Sequence, residues 1–256
     1  MPDQAPDLQA SDIHAPPALD IRVGAVGWHD ERLWESLALH LPAGEWTCLL
    51  GPSGIGKTTL LRLIAGLDAG SDVAVACSDG RPLAGRVAWM AQHDLLMPWL
   101  NVLDNALLGE RLRGGRVRER APVARALLAR VGLEARAAAR PASLSGGERQ
   151  RTALVRTLME DRPVILMDEP FSALDAITRL TIQDLAAELL RGRTVLLVTH
   201  DPREALRLGH RIHVLAGKPA RLEPALTPPG RPPRALDDAA LVALEAEIVR
   251  RLAAGS

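Results

Sequence analysis

The sequence predicts an α/β fold in which helices cover both faces of a mainly parallel β-sheet. Short apolar segments alternate with segments of helical periodicity from residue 163 onwards, and a glycine-rich loop joins an apolar segment to a helical one near residue 51. Such alternation is typical of parallel sheets, because two parallel strands need a crossover connection between them. The 256 residues, of which 47% are hydrophobic, suffice for one large domain or two small ones.

The apolar pattern predicts the elements in chain order. Strands are predicted at 19–26, 37–41, 46–50, 85–90, 163–167, 194–199 and 211–215, and helices at 57–67, 176–190, 202–208 and 237–252. Residues 101–140 have a helical, strand-poor pattern. We expect a loose arm over 1–18, a main domain over 19–220 with a helical subdomain at about 93–155, and a short C-terminal linker and helix over 221–256.

Charge and composition argue against several classes of protein. The 31 basic residues balance the 31 acidic ones, which argues against a protein that binds long nucleic acids through their phosphates. No segment approaches the ~18 apolar residues of a membrane-spanning helix, and residues 1–20 lack the basic and apolar regions of a signal peptide. Cys48 and Cys77 have no metal-ligand spacing, and so few cysteines are consistent with a reducing cytosol.

The segment from Gly51 to Thr58 reads GPSGIGKT and matches the phosphate-binding pattern G-x-x-x-x-G-K-[ST]. Glycines let consecutive backbone N–H groups turn towards a polyphosphate, Lys57 neutralises phosphate oxygens, and the Thr58 hydroxyl binds Mg²⁺. The strand predicted before the loop and the helix predicted after it are the context that this pattern requires. The motif predicts nucleotide binding, and by itself it leaves a GTPase, a recombinase, a transporter ATPase and a small-molecule kinase open.

A second helix start carries glycines and a hydroxyl group. Residues 144–151 read LSGGERQR, in which Ser145 and the two glycines form another anion-receptive helix N-terminus. The apolar segment VILM then ends in Asp168 and Glu169, and a strand that delivers two carboxylates to a phosphate loop has the geometry that phosphoryl transfer needs. In isolation, the first segment is compatible with an ordinary helix cap and the second with a solvated carboxylate pair. Combined with the phosphate loop, they resemble the ATPases of the ABC family over residues 19–220.

The resemblance implies a fold and a role for each motif. The fold is the P-loop ATPase core of the ABC type, with an inserted helical subdomain and an N-terminal antiparallel β portion, and the ligands are ATP and Mg²⁺. The implied ATP-binding residues are Trp28, Gly51, Pro52, Ser53, Gly54, Ile55, Gly56, Lys57, Thr58 and Thr59. The implied catalytic residues are Lys57, Gln92, Glu169 and His200, and the implied Mg²⁺ ligands are Thr58, Gln92 and Asp168.

Within this resemblance, Glu169 corresponds to the general base, Gln92 to the residue that contacts Mg²⁺ and the attacking water, and His200 to the switch histidine. The family usually places an aromatic residue upstream of the phosphate loop to stack on adenine, often a tyrosine, and this chain has no tyrosine. Trp28 is the expected substitute, whereas Trp34 is expected to belong to the core.

Two further segments correspond to surfaces between subunits. The signature, which caps the nucleotide of the opposite subunit in this family, corresponds to Leu144, Ser145, Gly146, Gly147, Glu148, Arg149 and Gln150. The loop at the dimer interface corresponds to Ser172, Ala173, Leu174 and Asp175. The resemblance therefore implies a homodimer in which each ATP lies between the phosphate loop of one subunit and the signature of the other.

Residues 95–105, which read LLMPWLNVLDN, resemble the branch of importers for nitrate, taurine, alkanesulfonates and hydroxymethylpyrimidine precursors of thiamine. An ATPase subunit of this branch works at the cytoplasmic face of the inner membrane as a peripheral protein, with a separate integral-membrane permease and, indirectly, a periplasmic solute-binding protein. An efflux ATPase and a soluble, non-transport ABC ATPase are the alternatives. Within residues 93–100, Leu96 and Met97 are expected to face the permease; alternatively, these side chains close the core of the helical subdomain.

Overall fold

The computed structural model describes residues 15–28, 31–68, 72–235 and 237–254. The strands are β1 (Leu19–Val23), β2 (Val26–Trp28), β3 (Glu31–Trp34), β4 (Leu37–Leu41), β5 (Trp46–Leu50), β6 (Val73–Cys77), β7 (Val87–Met90), β8 (Val164–Asp168), β9 (Thr194–Thr199), β10 (Arg211–Ala216) and β11 (Arg221–Leu222). The α-helices are α1 (Lys57–Ile64), α2 (Val102–Ala106), α3 (Leu108–Leu112), α4 (Val117–Arg130), α5 (Gly146–Met159), α6 (Ala176–Leu189), α7 (Pro202–Leu208) and α8 (Ala239–Ala254). Residues 1–14 of the predicted arm lie outside this description.

The central sheet has six strands in the order β11-β10-β5-β9-β8-β7. All pairings from β10 to β7 are parallel, and only β11 is antiparallel to its neighbour. Every residue of β5, β8 and β9 is buried, as expected for parallel strands that are covered on both faces. The predicted α/β fold with a parallel sheet is therefore confirmed.

Two apolar cores lie on opposite faces of this sheet. Side chains such as Cys48 and Met167 point into a core that includes residues of helices α2 and α4 to α8. The alternate side chains, such as Leu49 and Leu166, point into a second core with α1 and the N-terminal strands. This alternation is the period of two that a strand imposes.

The N-terminal strands form an antiparallel sheet in the order β4-β1-β6 and a separate hairpin of β2 and β3. In β1 and β4, buried and exposed residues alternate, because one face packs on the core and the other faces solvent. The predicted strand over 19–26 is wrong at its end: it breaks after Val23, where Gly24 donates its N–H to the Asp72 carbonyl at 2.7 Å. Strands β3 and β6 were not predicted.

The helical segment after β7 begins with an irregular loop. Asn105, fully buried in α2, accepts a hydrogen bond from the Met97 N–H at 2.7 Å and donates to the carbonyls of Met97, Leu100 and Asn101. This side chain fixes the loop that contains residues 93–100. The expected outward orientation of Leu96 is wrong, because Leu96 is buried in the core. Met97 is half-buried, and the exposed apolar side chains of this loop are Leu95 and Trp99.

The C-terminal helix α8 packs on α7 and β10 and buries Leu241 and Ile248 in the same core as those elements. The residues before it are held by the buried guanidinium of Arg234, which donates to the carbonyls of Leu206, Gly209, Pro228, Pro229 and Gly230 at 2.7 to 3.2 Å. Within the described ranges, no helix combines the length and the apolar character that crossing a bilayer requires.

Candidate functional site

Strands β5, β8 and β9 are neighbours and parallel, so their carboxyl ends meet at one edge of the sheet. The loop that begins at Gly51 follows β5, Asp168 is the last residue of β8 with Glu169 directly after it, and His200 follows β9. In open α/β sheets this edge is where ligands bind. The topology therefore brings together three sequence motifs that are distant from one another along the chain.

The glycine-rich loop ends at Gly56, which caps helix α1 in a left-handed conformation with φ of 99°. A Cβ atom at this position would lie 2.1 Å from Cζ3 of Trp34. Trp34 is fully buried, which confirms the expectation that it belongs to the core. Its indole packs directly against the backbone of the loop at Gly56. Gly54 also has a positive φ, of 82°, but a Cβ atom there would meet no described atom within 4 Å.

Lys57 is buried in the first turn of α1, where its Nζ donates to the carbonyls of Gly51 and Pro52 at 2.7 and 2.9 Å. Burial lowers the pKa of this ammonium, and the nearby carboxylates of Glu169 and Asp168 oppose that shift. The ammonium is thus held over the loop by carbonyl acceptors, next to the N-terminus of α1. A polyanion at this position would meet both the ammonium and the free N–H groups of the helix.

Thr58 and Asp168 form a hydrogen-bonded pair, in which the Thr58 hydroxyl donates to Asp168 Oδ2 at 2.7 Å. Asp168 is 1% exposed. Burial raises the pKa of this carboxyl, and the Thr58 hydroxyl acts in the opposite direction. A hydroxyl and a carboxylate are the hard oxygen donors that Mg²⁺ prefers, so the donor set fits that ion.

Glu169 has a backbone φ of 48°, which is unusual for a residue with a side chain and costs about 1–3 kcal/mol. Its N–H donates to the Val198 carbonyl at 2.9 Å, and its own carbonyl accepts hydrogen bonds from Ser172 Oγ and Gln150 Nε2 at 3.0 and 3.1 Å. These partners, from three different segments, hold the strained conformation in place.

The carboxylate of Glu169 is the point at which two further predicted residues meet. Gln92 Nε2 donates to Glu169 Oε2 at 3.3 Å, and His200 Nδ1 lies 3.2 Å from the same oxygen. The Glu169 side chain is 13% exposed, whereas that of His200 is 58% exposed. The four predicted catalytic residues thus occupy one site, since Lys57 lines the same cleft as Gln92 and Glu169.

A cleft of about 300 Å³ lies over the phosphate loop. Its lining consists of Leu33, Ser53, Gly54, Gly56, Lys57, Thr58, Thr59, Gln92 and Glu169. Leu33 was not predicted, because the hairpin that carries it was not recognised in the sequence. Trp28 lies in the same hairpin, but its side chain falls outside the described part of the chain, so its stacking role stays a prediction.

The 144–150 segment lies at the start of α5, and none of its residues lines the cleft. Ser145 caps this helix by accepting from the Glu148 N–H at 3.2 Å, and Glu148 Oε2 accepts in return from the Ser145 N–H at 2.8 Å. These hydrogen bonds and the neighbouring Arg136 lower the pKa of Glu148. Arg149 bridges Asp94 Oδ2 and the Leu144 carbonyl at 3.0 and 2.8 Å.

The predicted interface loop connects β8 to α6. Leu174 is buried, and Asp175 caps α6 by accepting from the Thr178 N–H at 3.0 Å. Ala173 donates its N–H to Gln150 Oε1 at 2.8 Å. The side chain of Gln150 is therefore turned into its own subunit, unlike the exposed Ser145 at the other end of the segment.

Sequence reasoning missed Glu204, a buried acid in the first turn of α7. Its Oε1 accepts from Gln183 Nε2 at 3.3 Å, and burial raises its pKa to about 7. Together with Glu169 and His200 it lines a small cavity of about 40 Å³. In the sequence, Glu204 resembles an ordinary acidic residue at a helix N-terminus, so no local signal indicates its burial.

Comparisons with known proteins agree with this geometry. The family model described as ABC transporter matches residues 34–172. An ABC transporter ATP-binding protein of Haemophilus influenzae is 44% identical over 89% of this chain and 95% of its own length. An aliphatic sulfonates import ATP-binding protein of Burkholderia cenocepacia is 39% identical over 96% of this chain and 91% of its own length.

A solved structure, the dimeric post-hydrolysis state of an ATP-binding cassette bound to ADP and Pi, superposes with a TM-score of 0.70. It is 30% identical in sequence, and the match covers 83% of this chain and 99% of that one. The family match spans more than half of the chain, and the relatives are matched over nearly their full length. The chain belongs to the ABC transporter family and is one of its ATP-binding ATPase subunits.

Proposed function

We propose that this subunit energises the import of a small solute of the sulfonate, taurine or nitrate type through a separate permease. The observation that carries the catalytic part of the proposal is the convergence of Gln92 and His200 on the carboxylate of Glu169, beside Lys57. The importer relatives support the direction of transport. A hydroxymethylpyrimidine precursor of thiamine is the second candidate solute, on the resemblance of residues 95–105 to that importer branch.

The proposed assembly has two copies of this chain, two ATP molecules and an integral-membrane permease at the cytoplasmic face of the inner membrane. A periplasmic solute-binding protein delivers the solute. Residues 19–220 form the ATPase domain, 93–155 its helical subdomain, and 221–256 a C-terminal segment that packs on it. The dimeric state of the related cassette supports the pairing of two copies.

In the proposed mechanism, the Glu169 carboxylate accepts the proton of the attacking water, and His200 and Gln92 orient that carboxylate. Lys57 and the N–H groups of the phosphate loop bind the β- and γ-phosphate oxygens. Thr58, Asp168 and Gln92 would hold Mg²⁺, and the bound ion would offset phosphate charge. In the dimer, Ser145 of one subunit stabilises the transferring phosphoryl group on the other.

Lys57→Ala is expected to weaken ATP binding by at least about tenfold, since a hydrogen bond to a charged group contributes about 1.5–3 kcal/mol. Titration calorimetry with Mg-ATP measures this change. Lys218→Ala is the matched control, because Lys218 is the only other lysine and is exposed. Wild-type affinity in Lys57→Ala, or equal losses in both variants, would contradict the assignment of the phosphate site.

Trp99→Asp is expected to uncouple the ATPase from its permease. The Trp99 side chain is exposed although it is large and apolar, it lies in the loop after Gln92, and Asn105 fixes that loop. An exposed aromatic anchor on a rigid loop is suited to receive a short helix of a partner. The variant should keep its fold and its ATP affinity and lose uptake of a labelled alkanesulfonate in cells that lack the native chain.

Leu112→Asp is the control for this experiment, because Leu112 is also exposed and apolar but lies at the far end of α3. It should support uptake normally. Normal uptake with Trp99→Asp would remove this loop from the permease interface. If neither the wild type nor Leu112→Asp restores alkanesulfonate uptake while both restore uptake of hydroxymethylpyrimidine, the second candidate solute replaces the first.

A further inference from the structure

Gln150 lies at the end of the signature segment, and the structure buries its side chain to 5% exposure. The nitrogen and the oxygen of its amide both form hydrogen bonds within the same subunit. Nε2 donates to the Glu169 carbonyl at 3.1 Å, and Oε1 accepts from the Ala173 N–H at 2.8 Å. A single side chain from α5 therefore bridges the backbone of the proposed general base and that of the interface loop.

The backbone of Glu169 depends on such a bridge. Its N–H is held by the neighbouring strand through Val198, and on its other side the carbonyl meets only Ser172, from its own turn, and Gln150, among the hydrogen bonds of the described residues. Gln150 is thus the contact that ties the carbonyl side of this strained residue to a different element. Without it, the Glu169 carbonyl would be held by its own turn alone, and the backbone that carries the carboxylate would be fixed only on its N–H side.

The first turn of α5 also packs directly against the interface loop. A Cβ atom at Gly147 would lie 3.4 Å from Leu174 Cδ2 and 3.6 Å from the Ala173 carbonyl oxygen. The helix start, the interface loop and Glu169 therefore form one packed unit, so a displacement of the helix start changes the position of the other two.

A primary amide fits the position of Gln150 at every pH. The Glu169 carbonyl needs a donor and the Ala173 N–H needs an acceptor, and an amide supplies both. A carboxylate of the same size would lose the donor and place negative charge against a carbonyl oxygen. An apolar side chain would leave both backbone groups without this partner.

We propose that Gln150 is a positioning residue that sets the direction of the Glu169 carboxylate and links it to the signature helix. The inference rests on the proposed function, in which Glu169 is the general base and Ser145 meets the nucleotide of the second subunit. Contact at one ATP site then adjusts the general base at the other site, because both lie on the packed unit that Gln150 holds together.

The test compares Gln150→Glu and Gln150→Met with the wild type and with Gln183→Glu. Gln183 is a matched control because it is also a buried glutamine, but it contacts Glu204 instead of the Glu169 backbone. For both Gln150 variants, we expect kcat for ATP to fall by about 10- to 100-fold, as for a misplaced catalytic group, while the Kd for Mg-ATP stays within about twofold.

The pH profile separates positioning from a loss of stability. In Gln150→Glu, the introduced carboxyl regains a donor when it is protonated, so its kcat relative to the wild type should rise as the pH falls from about 8 towards about 6. Gln150→Met has no titratable group and should stay low at every pH. Gln183→Glu should keep a wild-type kcat at the upper end of this range in its folded fraction.

Wild-type kcat in Gln150→Glu, or a loss that only follows the folded fraction, would overturn the inference. If Gln150→Glu does not fold, Gln150→Met alone tests the inference, which then requires a lower kcat than the wild type with an unchanged Kd for Mg-ATP. If the wild type hydrolyses ATP and the Gln150 variants hydrolyse it equally well, this inference alone is contradicted and the proposed function stands. A wild type without ATPase activity overturns the proposed function and this inference with it.

Discussion

Glu169→Gln is expected to lower ATP turnover by about 10²- to 10⁴-fold, the contribution of a positioned general base, while Mg-ATP binding is retained. The amide has the length of the carboxylate and leaves the cleft unchanged, but it cannot accept the proton of the attacking water. Steady-state phosphate release measures the loss, and size-exclusion chromatography with Mg-ATP should show a dimer that persists, because the bound nucleotide is not consumed.

The control for this prediction is Glu188→Gln. This variant removes a carboxylate of α6 that forms a surface ion pair with Arg130 of α4. It should hydrolyse ATP at the wild-type rate and should not hold the dimer. Glu169→Gln with normal turnover would show that another group accepts the proton. A variant that binds Mg-ATP and remains a monomer would contradict the two-copy arrangement.

Gly56→Ala is expected to lower the free energy of unfolding by about 2–5 kcal/mol, the sum of left-handed strain and overpacking. The added methyl would lie 2.1 Å from the Trp34 ring, at a residue whose φ is 99°. Relief of this contact must move either the buried indole or the start of α1. ATP binding should be lost as well, because Lys57 is the next residue. Denaturant unfolding and nucleotide titration measure both effects.

Gly54→Ala separates the two causes, because Gly54 shares the positive φ but has open space around it. Gly54→Ala should lower the free energy of unfolding only by the backbone strain, about 1–2 kcal/mol. A double variant that combines Gly56→Ala with Trp34→Leu should recover part of the ATP affinity. If both alanine variants lower the free energy of unfolding equally, the Trp34 indole moves away from the added methyl group without an energetic cost, and the predicted overpacking is absent.

The arrangement of the central sheet could be predicted from sequence because its strands are continuous apolar runs next to motifs of defined spacing. The strand Thr194–Thr199 and the helix Pro202–Leu208 match the predicted bounds. The hairpin of β2 and β3 was missed, because its strands are three and four residues long and carry charged and glycine residues. Such short strands take their conformation from tertiary packing and have little periodicity to recognise.

Which residues gather at the candidate site was predictable from the motifs, whereas the orientation of individual side chains was not. Leu96 and Trp99 lie in the same irregular loop, which hydrogen bonds from Asn105 hold in a conformation that buries Leu96 and exposes Trp99. Gln150 was grouped with the signature residues on the family resemblance of residues 144–150, but its amide completes two backbone hydrogen bonds inside the subunit. Loops and buried polar groups depend on partners from distant segments, which no local pattern reveals.

The guanidinium of Arg234 connects the proline-rich segment before α8 with the end of α7, since it binds the carbonyls of Leu206 and Gly209 as well as those of residues 228–230. Those two carbonyls belong to the last turn of the helix that begins just after His200. Release of the segment would leave them without their donor and uncover the buried Ile248. We therefore expect the C-terminal segment and the end of this helix to open as one cooperative unit, with similar protection of their amides against hydrogen exchange.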